Sequence, residues 1–248
     1  MKAYESLAFS YDALTYDVPY EKIAAYFQTL LRRSGVRPGI VLDLACGTGS
    51  LSVLLAQAGY QVLGVDCSEE MLTVASEKAC ALELQTPPQW VCQRMQRLRL
   101  PYPVDAAICC LDGVNYVTKP ADLLETFRRV FHALRPGGLF VFDINTPYKL
   151  RALDRQVFLD ETEDSYCVWR TTYSEKRRLC HYGFDLFQRE GDVWFRSQEE
   201  HAEYAYTPEE LAVWLREAGF QTVDIYGDRT LRAPKEDALR IWFAAKKE

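Results

Sequence analysis

The stretch VLDLACGTGSLSVLLAQAGYQVLGVDCS, residues 41–68, decides the fold class of this 248-residue chain. An apolar run at residues 40–45 precedes two closely spaced glycines, and a second apolar run ends at Asp66. Short runs that are apolar throughout are typical of strands buried on both faces of a parallel sheet. The segment between them has the composition of a helix. We therefore predict a strand–helix–strand unit of the kind that binds a nucleotide.

The same alternation of strand and helix continues along the chain. Apolar residues at helical spacing predict helices at residues 20–33, 50–58 and 122–134, and Ser68 is expected to cap another helix. Five apolar runs predict strands at residues 40–45, 60–66, 89–95, 104–111 and 139–144. Strands that alternate with helices pair in parallel through right-handed crossovers. This order predicts an α/β fold with a doubly wound, mostly parallel sheet.

The pattern changes after the fifth strand. Residues 166–206 show no helical period and are rich in aromatic and β-branched residues, which predicts an antiparallel meander. Thr207, followed by Pro208 and by Glu210 three residues after the cap, is a strong helix start. Two more strands, at residues 220–228 and 238–247, bring the main sheet to seven. We therefore predict a main domain of residues 1–147 plus 207–248 and a small antiparallel β insertion of residues 148–206.

Composition narrows the classes of function. The formal net charge is −6, whereas proteins that clamp nucleic acid through its phosphates usually carry a basic excess, so nucleic acid is not an expected partner. The sequence shows neither a signal-peptide pattern nor an apolar run of ~18 residues, so we predict a cytoplasmic protein outside the membrane. The eight cysteines form no C-x-x-C pair and are interpreted as reduced residues, with no metal site.

The glycines and carboxylates of the first unit indicate the kind of ligand. Gly47 and Gly49 lie where a strand becomes a helix, and glycine there permits a tight turn and a close approach of ligand to backbone. Asp66 can accept hydrogen bonds from the ribose hydroxyls of an adenosine. The dinucleotide pattern G-x-G-x-x-G lacks its third glycine, and Asp43 would repel a pyrophosphate. The sequence therefore predicts a positively charged adenosine ligand, and S-adenosylmethionine (SAM) fits.

Three segments, LDLACGTG, VLGVDCSEEML and LRPGGLFVFDI, resemble the successive motifs of class I SAM-dependent methyltransferases over about residues 40–144. The resemblance implies a Rossmann-like methyltransferase fold, SAM as cofactor and S-adenosylhomocysteine as product. It implies that Asp43 anchors the amino-acid part of SAM, that Asp66 binds the ribose, and that Cys67 and Met71 flank the adenine. Other residues expected around the cofactor are Ala45, Cys46, Gly47, Gly49, Gln93, Arg94, Met95 and Leu111.

One position departs from that family pattern. The family often has an acid after the third strand that binds the adenine amino group, whereas this chain has Arg94 there. The side chain of Gln93 or the backbone of Met95 could make that contact instead.

A second resemblance concerns the start of the chain. The stretch YESLAFSYDALTYDVPYEKIAAYF, together with LDGVNYV at residues 111–117, resembles small bacterial methyltransferases with an antiparallel insertion after strand five. These are similar to sugar N-methyltransferases, in which an N-terminal Tyr-Asp segment folds over the sulfonium. The resemblance implies that Tyr11 lies near the reactive methyl group.

The candidate catalytic residues are Tyr11, Asp112, Asn115 and Tyr116, and each has an alternative structural interpretation. Tyr11, like Tyr4 and Phe9, could be an apolar contact of a first helix. The other three candidates could be turn formers. For Asp43, the alternative is a helix-capping role alone.

For two further features we prefer a structural interpretation to a functional one. The segment NTPY, residues 145–148, resembles the Asn-x-Pro-Tyr element of enzymes that methylate amide or exocyclic nitrogens, but here it follows strand five rather than strand four. Since proline disfavours helix at the residue before it, we interpret this segment as a loop. His201 has no obvious partner in the sequence and is interpreted as structural.

The predicted reaction is an in-line transfer of the SAM methyl group to a nitrogen or oxygen of a small molecule. Because SAM carries a good leaving group, the enzyme mainly needs to position the acceptor, and a base matters only for a hydroxyl or a protonated amine. The acceptor is expected to contact the N-terminal segment, residues 112–117 and the aromatic insertion. Alternatives are an RNA or protein methyltransferase, a non-catalytic SAM-binding protein and a nicotinamide-dependent oxidoreductase. The missing third glycine disfavours the last.

Overall fold

The structure, a computed structural model, describes residues 8–248 apart from the side chain at position 9. Tyr4 and the side chain of Phe9, two possible contacts of a first helix, lie outside the described residues. The helices are α1 (Ala8–Leu14), α2 (Tyr20–Arg33), α3 (Ser50–Gln57), α4 (Glu69–Ala81), α5 (Pro120–Ala133), α6 (Pro147–Ala152) and α7 (Pro208–Ala218). The strands are β1 (Ile40–Leu44), β2 (Gln61–Asp66), β3 (Gln89–Cys92), β4 (Val104–Cys109), β5 (Leu134–Asn145), β6 (Val157–Glu161), β7 (Ser165–Ser174), β8 (Leu179–Glu190), β9 (Val193–Tyr204), β10 (Thr222–Gly227) and β11 (Arg240–Lys246).

The larger sheet has seven strands in the order β10-β11-β5-β4-β1-β2-β3. The strands β3, β2, β1, β4 and β5 run parallel to their neighbours, whereas β11 is antiparallel to both β5 and β10. This arrangement confirms the predicted doubly wound, mostly parallel sheet. The order of the strands reverses between β1 and β4, which is where ligands bind in folds of this type.

Apolar residues bury both faces of this sheet. On one face α2 and α3 pack against β1 and β4 through residues such as Phe27, Leu55 and Val41. On the other face α5 and α7 pack through residues such as Phe127 and Leu215. Because β1 lies between two clusters, its run of apolar residues has no solvated side, which explains why it shows no alternation.

Several local signals act as the sequence predicts. Ser68 caps α4, because its hydroxyl accepts a hydrogen bond from the Met71 amide at 3.1 Å. Thr207 and Glu210 form a capping box at the start of α7, and Gly219 ends that helix in the left-handed conformation. These signals involve residues only a few positions apart, so the sequence is sufficient to set them.

A second sheet is antiparallel throughout, in the order β6-β7-β8-β9. It confirms the predicted meander and adds β6, which the sequence analysis did not predict. The segment NTPY is not a simple loop, because Pro147 begins α6 and Thr146 caps it by accepting from the Lys149 amide at 3.2 Å. Proline is favourable at the first position of a helix, which corrects the loop interpretation.

Two strand boundaries lie three or more residues from the predicted positions. The third strand ends at Cys92 because a 3-10 turn at Met95–Arg97 follows it closely. The fifth strand begins at Leu134, before its predicted start at residue 139, and it includes the Arg-Pro-Gly-Gly segment. The described part of the chain contains no helix long and apolar enough to cross a membrane.

Candidate active site

A cavity of roughly 470 Å³ lies at the carboxyl ends of β1, β2 and β4. All of the residues expected to bind the cofactor line it except Gly49. Its lining residues are Tyr11, Tyr20, Asp43, Ala45, Cys46, Gly47, Thr48, Leu51, Val65, Asp66, Cys67, Met71, Gln93, Arg94, Met95, Gln96, Cys110, Leu111, Gly113, Tyr116 and Val117. The cavity thus coincides with the edge of the sheet at which open α/β folds bind their ligands.

The two glycines of the loop after β1 have different roles. Both have positive φ, 54° at Gly47 and 73° at Gly49. A Cβ at Gly47 would meet nothing within 4 Å, whereas a Cβ at Gly49 would lie 2.6 Å from the Trp90 ring and 2.9 Å from Ala75. Gly49 therefore makes room for Trp90 of β3, and only Gly47 faces the cavity. The expectation that both glycines approach the cofactor stays a prediction, and the cavity lining favours Gly47.

Asp66 joins the glycine loop to the start of α4. Its Oδ2 accepts from the Gly47 amide at 2.9 Å and its Oδ1 accepts from the Ser68 amide at 3.0 Å. Burial raises the pKa of Asp66, and these backbone hydrogen bonds oppose that shift. Each carboxylate oxygen can accept more than one hydrogen bond. Asp66 can therefore hold its loop and accept from a ligand at the same time.

Asp43 is a buried acid on the inner wall of the cavity, with 2% of its surface exposed. Its Oδ2 accepts from the hydroxyl of Ser52 at 2.6 Å. Burial raises the pKa of Asp43 to about 7, a shift that the Ser52 hydrogen bond opposes and that nearby Asp66 increases. Removal of a carboxylate from water disfavours its charged form, which is the cause of the shift. A cationic ligand in the cavity would favour that charged form again.

The loop after β3 forms another wall. Arg94 and Met95 line the cavity there, on the side where Cys67 and Met71 also lie. Gln93 lines it too, but its side-chain amide bonds both backbone groups of Arg99, at 2.9 and 3.2 Å. These hydrogen bonds already use the side-chain amide of Gln93. The sequence analysis considered that amide as a substitute for the acid that binds the adenine amino group in the family.

The structure separates the four candidate catalytic residues into two pairs. Tyr11 and Tyr116 line the cavity, whereas Asp112 and Asn115 do not. Asn115 is fully buried, and its amide bonds the Asn145 backbone and the carbonyl of Tyr204 at 3.0–3.1 Å. Its side chain therefore fastens the end of β5 to the end of β9, a structural role different from the turn-forming one considered in the sequence analysis.

Asp112 pairs with Arg240 at 2.6 Å and lies behind the cavity wall rather than in it. If the NTPY segment acted as in the enzymes it resembles, the side-chain amide of Asn145 would bind a substrate nitrogen. That amide already makes hydrogen bonds within the protein. It donates to Glu203 at 2.8 Å and accepts from Lys149 at 2.9 Å. These contacts favour a structural role for that segment.

Helix α1 lies between the glycine loop and the second sheet. Tyr11 packs against Cys167 and Leu186 of that sheet while also lining the cavity. On the loop side, the Asp12 carboxylate accepts from the Thr48 hydroxyl at 2.7 Å and pairs with Lys78 at 2.6 Å. The helix therefore closes one side of the cavity and contacts both the glycine loop and the second sheet.

Sequence reasoning missed several lining residues. Tyr20, at the start of α2, lines the cavity beside Asp43, and its pKa is raised mainly by burial. The others are Thr48, Leu51, Val65, Gln96 and Cys110. Gly113 and Val117 also line the cavity, and both lie within residues 112–117, where the sequence analysis expected contact with the acceptor. Tyr20 belongs to the N-terminal stretch quoted in the sequence analysis but was not singled out there, because its place at the cavity depends on how α2 packs.

Residues of the insertion do not appear among the described residues that line the cavity. Its aromatic side chains stack on one another, as in the pair Phe158–Trp169 with ring centroids 4.1 Å apart. His201 is buried, lies 2.9 Å from a Glu199 oxygen and packs edge-to-face on Tyr116. Within residues 8–248 no group of three or more His, Cys, Asp or Glu side chains could hold a metal ion.

Comparison with known proteins agrees with this geometry. A family model described as "Methyltransferase domain" matches residues 41–138. The protein YqeM of Bacillus subtilis (strain 168), provisionally named a methyltransferase, is 30% identical over 246 residues, which cover 98% of this chain and 97% of that protein. The chain therefore spans nearly the whole length of this relative.

Solved structures share the fold over most of the chain. The crystal structure of a SAM-dependent methyltransferase from Clostridium acetobutylicum ATCC 824 is 30% identical, has a TM-score of 0.87 and matches over 99% of both chains. The sugar N-methyltransferase KedS8 from Streptoalloteichus sp ATCC 53650 shares the fold at 19% identity, with a TM-score of 0.75 over 94% of this chain and 89% of that chain. This chain belongs to the SAM-dependent methyltransferases, and SAM is its cofactor.

Proposed function

We propose that the cavity beside Asp43, Gly47 and Asp66 is the SAM site, and that the enzyme methylates a nitrogen or oxygen of a small molecule there. The observation that carries the proposal is a pair of carboxylates on two neighbouring strands, the buried Asp43 and the half-buried Asp66, on either side of a glycine with open space at its Cβ. The two carboxylates and the open backbone at Gly47 fit SAM, because SAM carries two positively charged groups and a ribose with two hydroxyls.

The electrostatics of the cavity support this ligand. A buried charge is costly unless it is paired, and the raised pKa of Asp43 reflects that cost. A ligand with a sulfonium and an ammonium group would offset it, whereas a pyrophosphate would increase it. We assign Asp66 to the ribose and Asp43 to the amino-acid end, with Cys67, Met71 and Arg94 around the adenine.

The methyl transfer requires positioning above all. Bound SAM supplies a methyl group on an excellent leaving group. Tyr11 and Tyr116 line the cavity on the side of α1 and of the loop after β4, where they would orient the acceptor and exclude water. Orientation of this kind can lower a barrier by about 7–11 kcal/mol.

Two observations favour a small acceptor. The amino pentose methyltransferase CalS10 from Micromonospora echinaspora and the sugar N-methyltransferase KedS8 share this fold over 92% and 94% of this chain. The net charge of −6 disfavours binding to RNA phosphates. We assign acceptor binding to α1, which lines the cavity through Tyr11. Gln188 of β8 donates to Ser10 of α1 at 2.8 Å, and this bond couples the insertion of residues 148–206 to that helix.

Ligand binding and turnover test this proposal. SAM at about 100 times its Kd should add about 2.7 kcal/mol of stability, and hence roughly 5–10 °C of Tm, whereas NADH should add none. A panel of amino sugars, small phenols, amines, tRNA and peptides should then show S-adenosylhomocysteine release with members of the small-molecule group. Stabilisation by NADH and not by SAM would reject the cofactor site. Turnover confined to tRNA or peptide would reject the small acceptor.

The pKa of Asp43 predicts a pH dependence. Because burial raises it from 3.8 to about 7, the folded protein keeps a proton between about pH 4 and pH 7 that the unfolded chain releases. The contribution of Asp43 to stability therefore falls as pH rises through this window. Binding of cationic SAM favours the carboxylate, so SAM affinity should rise with pH up to about 7, by at most tenfold per unit.

Titrations of SAM binding from about pH 5.5 to about pH 7.5 measure this linkage, since they bracket the pKa. Asp43→Asn is the matched control, because it keeps the shape of the side chain and removes the titrating proton. In the variant, the slope of SAM affinity against pH should lose the part that Asp43 contributes. The titration of SAM itself affects both proteins equally. Parallel slopes in the two proteins would rule out Asp43 as the titrating group.

Tyr11→Phe should leave SAM affinity unchanged while lowering turnover. The phenyl ring keeps the packing against Cys167 and Leu186 and the place of Tyr11 in the cavity wall, and the variant loses only the hydroxyl, to which we assign a role towards the acceptor. Calorimetry with SAM and initial rates with the acceptor found by the panel separate the two effects. Tyr16→Phe is the control, since Tyr16 is 85% exposed. If Tyr11→Phe turns over at the wild-type rate, the hydroxyl has no role in the transfer.

A further inference from the structure

The cavity wall after β4 has a strained backbone. Leu111 and Asp112 are consecutive non-glycine residues with φ of 56° and 57°, in the left-handed region. Leu111 and the residue after Asp112, Gly113, both line the cavity. Side chains with a Cβ rarely adopt this conformation, and such residues persist only where surrounding contacts impose it.

Asp143 supplies those contacts from the neighbouring strand β5. Its side chain is fully buried, and its two oxygens accept from consecutive amides, Leu111 at 2.7 Å and Asp112 at 3.2 Å. Both strained residues are therefore held by one carboxylate. Hydrogen bonds to an ionised acceptor are the strong ones, so this carboxylate can hold a conformation that is costly by itself.

Arg240, the first residue of β11, completes the network. Its Nη1 donates to Asp143, and its Nη2 donates to Asp112 at 2.6 Å. The planar guanidinium thus bridges two acids that would otherwise repel each other, and it is mostly buried with them. The side chain comes from a strand 128 residues away from Asp112 and does not line the cavity.

We propose that Asp143 and Arg240 are positioning residues that hold the Leu111–Gly113 wall in the shape that binds SAM. The inference rests on the proposed function, because it takes this cavity as the SAM site. The same inference changes the role of Asp112, which the sequence analysis took as a candidate catalytic residue. Its carboxylate anchors the wall to Arg240. Without the network the wall relaxes to backbone conformations that do not fit the cofactor.

Arg240→Met tests the proposal. SAM Kd should rise on the order of tenfold, because the fraction of molecules with a binding-competent wall falls. Arg240→Lys, which keeps the charge but cannot form the two-pronged bridge, should show a smaller rise. Calorimetric titration of the purified full-length chain measures both, at a temperature where thermal unfolding shows each variant to be folded.

Arg178→Met is the matched control. Arg178 also makes a two-pronged bridge, to Glu210 at 2.6–2.7 Å, but it joins the second sheet to α7 and does not line the cavity. Its loss should lower Tm and leave SAM Kd within about twofold. A general loss of stability would act on both arginine variants alike, so it could not produce this difference.

A glycine substitution provides a rescue that a merely structural role would not show. In the Arg240→Met background, Asp112→Gly and Asp112→Ala both remove the unpaired carboxylate, but only glycine adopts a positive φ without strain. SAM should bind the double variant that carries Asp112→Gly roughly fivefold more tightly than the one that carries Asp112→Ala.

The outcomes separate this inference from the proposed function. Equal SAM affinity in wild type and Arg240→Met, or in the two double variants, would overturn the positioning role. Asp66→Ala, measured beside them, reports on the site itself. If Asp66→Ala binds SAM normally, the cavity is not the SAM site and both proposals fall. If only Asp66→Ala loses affinity, the inference about Arg240 falls alone.

Discussion

Asp66→Ala is expected to weaken SAM binding by about 100-fold or more. The substitution removes the carboxylate that we assign to two ribose hydroxyls, and two hydrogen bonds of about 1.5–3 kcal/mol each are lost with it. It also leaves the Gly47 amide, now bonded at 2.9 Å, without its acceptor. The glycine loop would then be free to move where the cofactor has to lie.

Calorimetric titration with SAM measures the effect, and Asp105→Ala is its matched control. Asp105 likewise accepts from two backbone amides, Gly39 and Ile40, both at 2.8 Å. It belongs to β4 and lies beside the amino end of β1, at the opposite edge of the same sheet. The control should lose stability and keep SAM affinity within about twofold. Equal losses of affinity in the two variants would mean that Asp66 acts only through stability.

Gly49→Ala is expected to lower the free energy of unfolding by about 3 kcal/mol. A left-handed φ of 73° costs an alanine roughly 1–2 kcal/mol. The new methyl group would also lie 2.6 Å from the Trp90 ring, and overpacking of a filled core typically costs about 1–3 kcal/mol. For a chain of this size, Tm should fall by roughly 6–12 °C.

Thermal and denaturant unfolding measure this change, with Gly47→Ala as the control. Gly47 also has positive φ, but its Cβ would meet nothing within 4 Å, so that variant should lose only about 1 kcal/mol. Trp90→Phe in the Gly49→Ala background should recover part of the loss, since the smaller ring retreats from the methyl group. Equal losses at both glycines would contradict the packing role of Gly49.

The sequence was sufficient to predict which cofactor binds and at which edge of the sheet it binds, because both depend on short segments. A strand that is apolar throughout has to be buried on both faces, and parallel strands present their carboxyl ends at one edge. Asp43 and Asp66 follow from that geometry as soon as β1 and β2 are recognised. The family resemblance then supplied the residues of the loops after β2 and β3.

The sequence could not separate residues that line the cavity from residues that support it. Gly49 and Gly47 look alike in the pattern, but Trp90, which lies 41 positions after Gly49 in the chain, occupies the space beside one of them. Asn115 and Tyr116 are adjacent in one loop, yet one fastens two strands and the other faces the cavity. These outcomes depend on which distant side chains arrive at the loop.

The sequence by itself determined the alternation of strands and helices along the chain, the helix caps and the charge of the ligand, since these follow from neighbours within a few residues and from the period of the apolar pattern. Only the tertiary structure decided that Asp143 and Arg240 support the wall after β4, that α1 closes the cavity against the second sheet, and that Asp43 holds its proton to about pH 7. Burial and contacts between distant residues exist only after the chain has packed, and they set the strain, the pKa and the shape of the site.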